Sequence, residues 1–265
     1  MIFENDRERN TCLMKAYVIR WSCIYRHCCT LSAMVEFNSK KGFIFVSKFK
    51  NSCFIPSNIL REIDFMLIRS GVNPSKYIKI VIKGRTLNAG IINFPMKKVI
   101  CITQEWIDML QNNPNNNLVW NAFSGTIYHE LGHQKDYMPN GLLHKILITI
   151  CNFFGICLRN YHSNQLQFLY WVWEAHADFY SCEHAFKGDR CMSRKTMLFK
   201  LDERKKRLKS IEDTYDHPSW MRRISYIEKF NFDEQLITKI AMDVSYPVSC
   251  VEVQNIILHY ETYFD

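Results

Sequence analysis

The sequence predicts an α+β fold, with a small mixed sheet in the N-terminal half and a mainly helical C-terminal half. Two observations carry this. Apolar, β-branched runs bounded by turn residues, "GFIFVSKF" (42–49), "YIKIVIKG" (77–84) and "KKVICIT" (97–103), all lie before residue 104. Beyond them the apolar residues recur at helical spacing, so strands and helices do not alternate as in a βαβ series. No internal repeat and no Pro/Gly/Ser-rich linker divides the 265 residues. That length suits one large domain with a real core, or two small ones.

Taken in order, residues 1–75 form an N-terminal segment of unassigned role, packed on the core, with a strand at 42–49. "PSNILREIDFMLIRSGV" starts a helix at Pro56 and Ser57, carries apolar residues at helical spacing and stops at Gly71. Residues 76–265 form the main domain. After the strands at 77–84 and 97–103, "QEWIDMLQ" (104–111) is a short helix and "NNPNNN" (112–117) a turn-rich loop. A helix then runs from about Val119 to Asp136. "ILITICNFFGICL" (146–158) is the most apolar run. It falls short of the roughly 20 residues a membrane span needs. It reads as a buried or groove-lining helix, with a membrane-associated hairpin as the alternative. "NQLQFLYWVWEAHADFYSCEHAF" (164–186) is a long helix, and helices continue to the C-terminus.

With 48% hydrophobic and 14% aromatic residues, the composition excludes a disordered chain. The net charge of +8 reads as a solvated basic surface. In its densest cluster, "DERKKRLKS" (202–210), charges lie all round a helix with no aromatics between them, so no nucleic-acid partner is expected. The 11 cysteines are odd in number and scattered, which points to free thiols in a reducing compartment. The charged start "MIFENDRERN" is unlike a secretory signal. Together these predict a cytoplasmic protein. Cys23, His27, Cys28 and Cys29 could ligate a metal, but adjacent cysteines rarely reach one tetrahedral site, so they read as ordinary thiols.

The chemistry concentrates in "TIYHELGHQKD" (126–136). Positions i and i+4 share one helix face, so His129 and His133 can point both imidazoles at one metal. Glu130 lies about 100° round the helix, within reach of a water on that metal. Two histidine ligands and a glutamate base are the zinc-protease arrangement, in which the metal lowers the pKa of its water to about 7. Gly132 is a poor helix former and wants a reason, such as close approach by another segment. A third ligand comes from "WVWEAHADFY" (171–180), where Glu174 and Asp178 are four apart. Carboxylates among aromatic residues are costly to bury without a cation or hydrogen bonds. Glu174 as ligand accounts for the first, and Asp178 hydrogen-bonding the free nitrogen of a zinc histidine accounts for the second. In "DTYDHPSWMRRISYI" (213–227), His217 precedes a helix expected to start at Pro218. It is either a donor to the oxyanion of a tetrahedral intermediate or part of a helix-start turn.

These pieces together resemble the gluzincin metallopeptidases of the CAAX-prenyl-protease and heat-shock membrane protease type. That family carries His-Glu-x-x-His, Glu-x-x-Ala-Asp, and His-Pro followed by Arg-Ile, in this order. Here they read "HELGH", "EAHAD" and "DHPSWMRRI". The resemblance covers roughly residues 76 to 230. It implies a zincin-like fold, Zn2+ on His129, His133 and Glu174, Glu130 as base, Asp178 orienting a histidine, His217 as oxyanion donor and Arg223 in support. "LNAGIINF" resembles the family's edge strand beside the active-site helix, which implies substrate binding at Asn88, Ala89 and Gly90 by strand addition. The membrane members insert transmembrane helices around these motifs, whereas this chain has only the run at 146–158. Phage-exclusion peptidases of the Lit type share the motif order in a soluble chain.

The sequence therefore predicts a zinc metalloendopeptidase acting on a protein or peptide substrate, with membrane association not favoured. The alternatives are a zinc-binding regulatory or interaction protein with little proteolysis, and a membrane-associated protease of the same family.

Overall fold

In a computed structural model, the described residues are 55–82, 86–93, 98–135, 164–207 and 211–261, with the strands at 33–38 and 42–47 described as backbone. The cysteine group at 23–29 and the apolar run at 146–158 lie outside the described residues. Strands β1 (Ala33–Asn38) and β2 (Gly42–Ser47) pair antiparallel as a two-stranded sheet. β2 matches the expected strand. β1, "AMVEFN", has too short an apolar pattern to stand out in the sequence.

The second sheet has three strands, β3 (Tyr77–Ile82), β4 (Ala89–Asn93) and β5 (Lys98–Thr103), in the order β3-β5-β4. β3 runs parallel to β5 and β4 antiparallel to it, so the sheet is mixed. β5 is central and buried along its length, which is why it reads as a continuous apolar run. β4 is an edge strand. Its register sets Ala89 opposite Ile102, Gly90 opposite Cys101 and Ile91 opposite Ile100.

Eight α-helices are described: α1 (Ser57–Arg69), α2 (Gln104–Asn112), α3 (Asn117–Lys135), α4 (Asn164–Phe186), α5 (Arg190–Lys206), α6 (Trp220–Lys229), α7 (Glu234–Asp243) and α8 (Cys250–Glu261). The protein is thus α+β and mostly helical. One core joins the sheet to Ile59, Ile63 and Leu67 of α1, Trp106 and Leu110 of α2, and Phe123, Ile127 and Leu131 of α3. α1 precedes residue 75 and shares this core. A second core gathers Phe168, Trp171 and Phe179 of α4 with α5, α6, α7 and α8. α3 and α4 lie between the two and are apolar on nearly every side, as buried helices are.

α3 and α4 cross at close range because two glycines on α3 leave room. A Cβ on Gly132 would stand 3.0 Å from the Cα of Ala177, and one on Gly125 would stand 2.9 Å from the ring of Phe186. The glycines are two turns apart and so share a face. Ser181 Oγ donates to the buried backbone oxygen of Gly125 at 2.8 Å. The expected close approach at Gly132 is therefore made by α4. Among the described residues no helix is long and apolar enough to cross a membrane.

Candidate metal centre

The α3–α4 crossing brings three ligand-type side chains to one point. His133 Nε2 lies 3.1 Å from His129 Nε2 and 3.2 Å from Glu174 Oε1, and His129 Nε2 lies 3.6 Å from Glu174 Oε2. The ligand atoms of the three residues all lie within 4.8 Å of one another. Glu174 Oε2 is buried and accepts no hydrogen bond among the described residues. Two imidazole nitrogens and a carboxylate converging in this way could hold a metal ion, and this donor set of nitrogen and oxygen atoms fits one.

The surroundings keep these atoms in ligand form. Asp178 Oδ1 lies 2.9 Å from His129 Nδ1, which makes Nδ1 the protonated nitrogen and leaves the Nε2 lone pair on the metal side. Burial lowers the His129 pKa to about 4, so the ring is neutral at neutral pH. Arg223 holds Asp178 with two hydrogen bonds, Nε to Oδ2 at 2.7 Å and Nη2 to Oδ1 at 2.6 Å, and places Nη1 3.3 Å from Glu174 Oε2. Burial would raise both carboxyls. Arg223 and His129 hold Asp178 far below the usual carboxylate range, and His217, His133 and Arg223 hold Glu174 well below it. The indole of Trp173 packs on the His133 ring at 4.5 Å.

His217 reaches the same carboxylate from a loop, with Nε2 3.3 Å from Glu174 Oε1. Its Nδ1 is 3.2 Å from Asp216 Oδ1. Burial would push the Asp216 carboxyl up, but His217 draws it down to about 2. The loop is pinned at three points. Trp171 Nε1 on α4 donates to Thr214 O at 3.1 Å, Thr214 N donates to His217 O at 2.8 Å, and Arg222 Nη2 on α6 donates to Asp213 Oδ2 at 2.8 Å. The helix after it starts at Trp220, capped by Ser219, and not at the expected Pro218; the Ser219 side chain takes the N-H of Arg222. Pro218 is the residue before the cap.

Glu130, next to His129, is partly exposed. Burial raises its carboxyl to about 7, against the lowering pull of His133. It faces β5, where burial and the Glu130 charge push the Cys101 thiol up to about 12. Cys101 pairs with Gly90 of β4, and β4 packs on α3. No protein-family model matches this chain, and no curated protein matches it.

The structure thus brings His129, His133, Glu174, Asp178, Arg223 and His217 into one contact network, with Glu130 beside it. Asn88, Ala89 and Gly90 lie at the start of the edge strand. Asn88 is turned toward β5, accepting from Thr103 N at 3.1 Å, so by alternation Ala89 and Ile91 turn their backbone groups away from β5, and both residues are buried. Ala89 N already donates to Asn88 Oδ1 at 3.1 Å. Asp216 was missed in the sequence, and its signal was adjacency to His217. Lys200 of α5, whose Nζ lies 3.3 Å from Thr126 Oγ1 on α3, has no sequence signal, because only tertiary packing brings it there.

Proposed function

We propose that the chain is a zinc-dependent endopeptidase of zincin-like architecture, related to the gluzincins its motifs resemble. The observation that supports this most is the convergence of His129, His133 and Glu174 on one point with a carboxylate, Glu130, at the next helix position. The first three residues hold Zn2+. When bound, zinc supplies Lewis acidity toward a carbonyl oxygen and makes a water more acidic. Glu130 takes a proton from the attacking water and passes it to the leaving amine. His217, oriented through Nδ1 by Asp216, donates Nε2–H to the carbonyl oxygen as it gains charge. Asp178 and Arg223 fix the His129 ring and the Glu174 carboxylate. The substrate is a protein or peptide segment laid as an added strand along β4, near Asn88, Ala89 and Gly90. The reaction runs in the cytoplasm.

The test compares wild type with Glu130→Gln for zinc content and for cleavage across a whole proteome. Zinc is retained in both and cleavage is lost in the variant. Cleavage that persists in Glu130→Gln would overturn the mechanism. Zinc in both proteins with cleavage by neither would favour a zinc-binding regulatory protein.

A further inference from the structure

Lys200 is a charged side chain of this region that the proposed chemistry leaves unused. It projects from α5 toward α3, half-buried, with Nζ 3.3 Å from the hydroxyl of Thr126. Thr126 is itself buried and donates to Ala122 O at 2.8 Å, so toward Lys200 it can only accept. Among the described residues no carboxylate lies within 4.0 Å of the Lys200 ammonium, although Arg223 nearby has both its acidic partners. The Trp220 ring lies under both cations, 5.0 Å from Lys200 Nζ and 4.9 Å from Arg223 Cζ. The charges of Asp178, Glu130 and Glu174 favour the ammonium from beyond contact distance, while the acceptor it touches is the neutral Thr126 hydroxyl, which leaves room for a direct ionic partner.

Position says which use. Thr126 and Glu130 are four apart on α3, so they share a face one turn, about 6 Å, apart. The ammonium therefore stands about one helical turn from the proposed base. An extended peptide advances about 3.4 Å per residue, so a side chain adjoining the reacting bond spans that distance. Burial and the Arg223 charge pull the Lys200 pKa down to about 8, against the raising pull of Asp178, Glu130 and Glu174, which leaves it mostly charged at neutral pH.

We propose that Lys200 pairs with a carboxylate on the substrate residue next to the bond that is cut, so that the enzyme selects an aspartate or glutamate there. This rests on the metallopeptidase reading above. Thr126 and Trp220 hold the ammonium in place, and the incoming carboxylate supplies a partner at contact distance.

The experiment uses zinc-loaded Glu130→Gln protein, which binds without cutting. Two hydroxamates are titrated by calorimetry, identical except that one ends in a carboxylate and the other in a carboxamide. The carboxylate form is expected to bind about tenfold tighter, the gain of a charge-assisted pair. Adding Lys200→Met should bring the two to within about threefold, as expected when that charge is removed. Adding Lys200→Arg should keep most of the preference, which guards against a merely misfolded Lys200→Met protein. Zinc content should be the same in all three. Zinc bound with no preference for the carboxylate, or a preference that survives Lys200→Met, overturns the Lys200 assignment alone. No zinc and no hydroxamate binding overturns the metallopeptidase reading, and this proposal with it.

Discussion

His129 Nδ1 and Asp178 Oδ1 stand 2.9 Å apart, the link by which the second helix of the site fixes the ring orientation of the first. Asp178→Asn can still accept from His129 but loses the negative charge that Arg223 pairs with twice. Metal affinity should fall about 10- to 100-fold. Competition against a fluorescent chelator reads this directly, and an unchanged zinc constant would remove Asp178 from the site.

Gly132 is needed because α4 passes too close for a side chain. In Gly132→Ala the new methyl meets the Cα of Ala177 at 3.0 Å, a backbone atom that cannot move alone. Overpacking of this kind costs about 1–3 kcal/mol. The helices should also separate enough to weaken metal binding. Urea unfolding checks the first effect and chelator competition the second. A variant as stable as wild type would mean that the crossing is looser than 3.0 Å implies.

His217→Ala should lower kcat by about 100-fold or more if it removes an oxyanion donor. KM and zinc content should change little. Asp216→Asn, which leaves His217 in place but takes away the carboxylate at Nδ1, should lower kcat by a smaller factor. If Asp216→Asn raises KM and spares kcat, Asp216 shapes substrate binding and does not orient His217.

Asp243 gives stability a pH dependence away from the metal. It accepts from Tyr226 Oη at 2.7 Å and lies 2.9 Å from Arg222 Nη1. Burial would raise its pKa, but Lys239, Tyr226 and Arg222 bring it below the ordinary value. A folded-state pKa below the unfolded value of about 3.9 stabilises the fold above that pH. The contribution disappears as pH falls through the folded-state value. The urea midpoint of wild type should drop between about pH 4 and lower values. Asp243→Asn should start lower at neutral pH and show a shallower acid loss. Parallel curves for the two proteins would rule out this origin.

Stripping the metal should lower the melting temperature, because an ion that binds only the folded chain stabilises it; the shift grows with the ion's excess over Kd and reaches about 2.7 kcal/mol at a hundredfold excess. Glu174→Ala, lacking one ligand, should melt at nearly the same temperature with and without chelator. An equal chelator effect in both would place the responsive ion elsewhere.

Much of the candidate site is legible in the sequence because helices repeat simply. His129 and His133 share a face by spacing alone, and Glu174 and Asp178 do the same on their own helix. The α+β order and the strand at β5 are legible for a similar reason, since alternation and unbroken apolar runs are local properties. What is not legible depends on how elements meet. Nothing around Lys200 says that α5 will lay it against Thr126. Nothing in "AMVEFN" marks β1 strongly, because Glu36 and Asn38 interrupt its apolar residues. The helix start moved from Pro218 to Trp220 because Ser219 is the better cap.

Trp171 has a consequence beyond its own packing. Its indole anchors Thr214 O, and so the loop that carries His217, to the same helix that carries Glu174 and Asp178. α4 is therefore the common datum for Glu174, for the acid that orients His129 and for the residue proposed to meet the reacting oxygen. A shift of α4 along α3 would put all of them out of alignment together. The site should lose function as a unit, and revertants of a displaced α4 should arise at the helix contact surface before they arise among the polar groups.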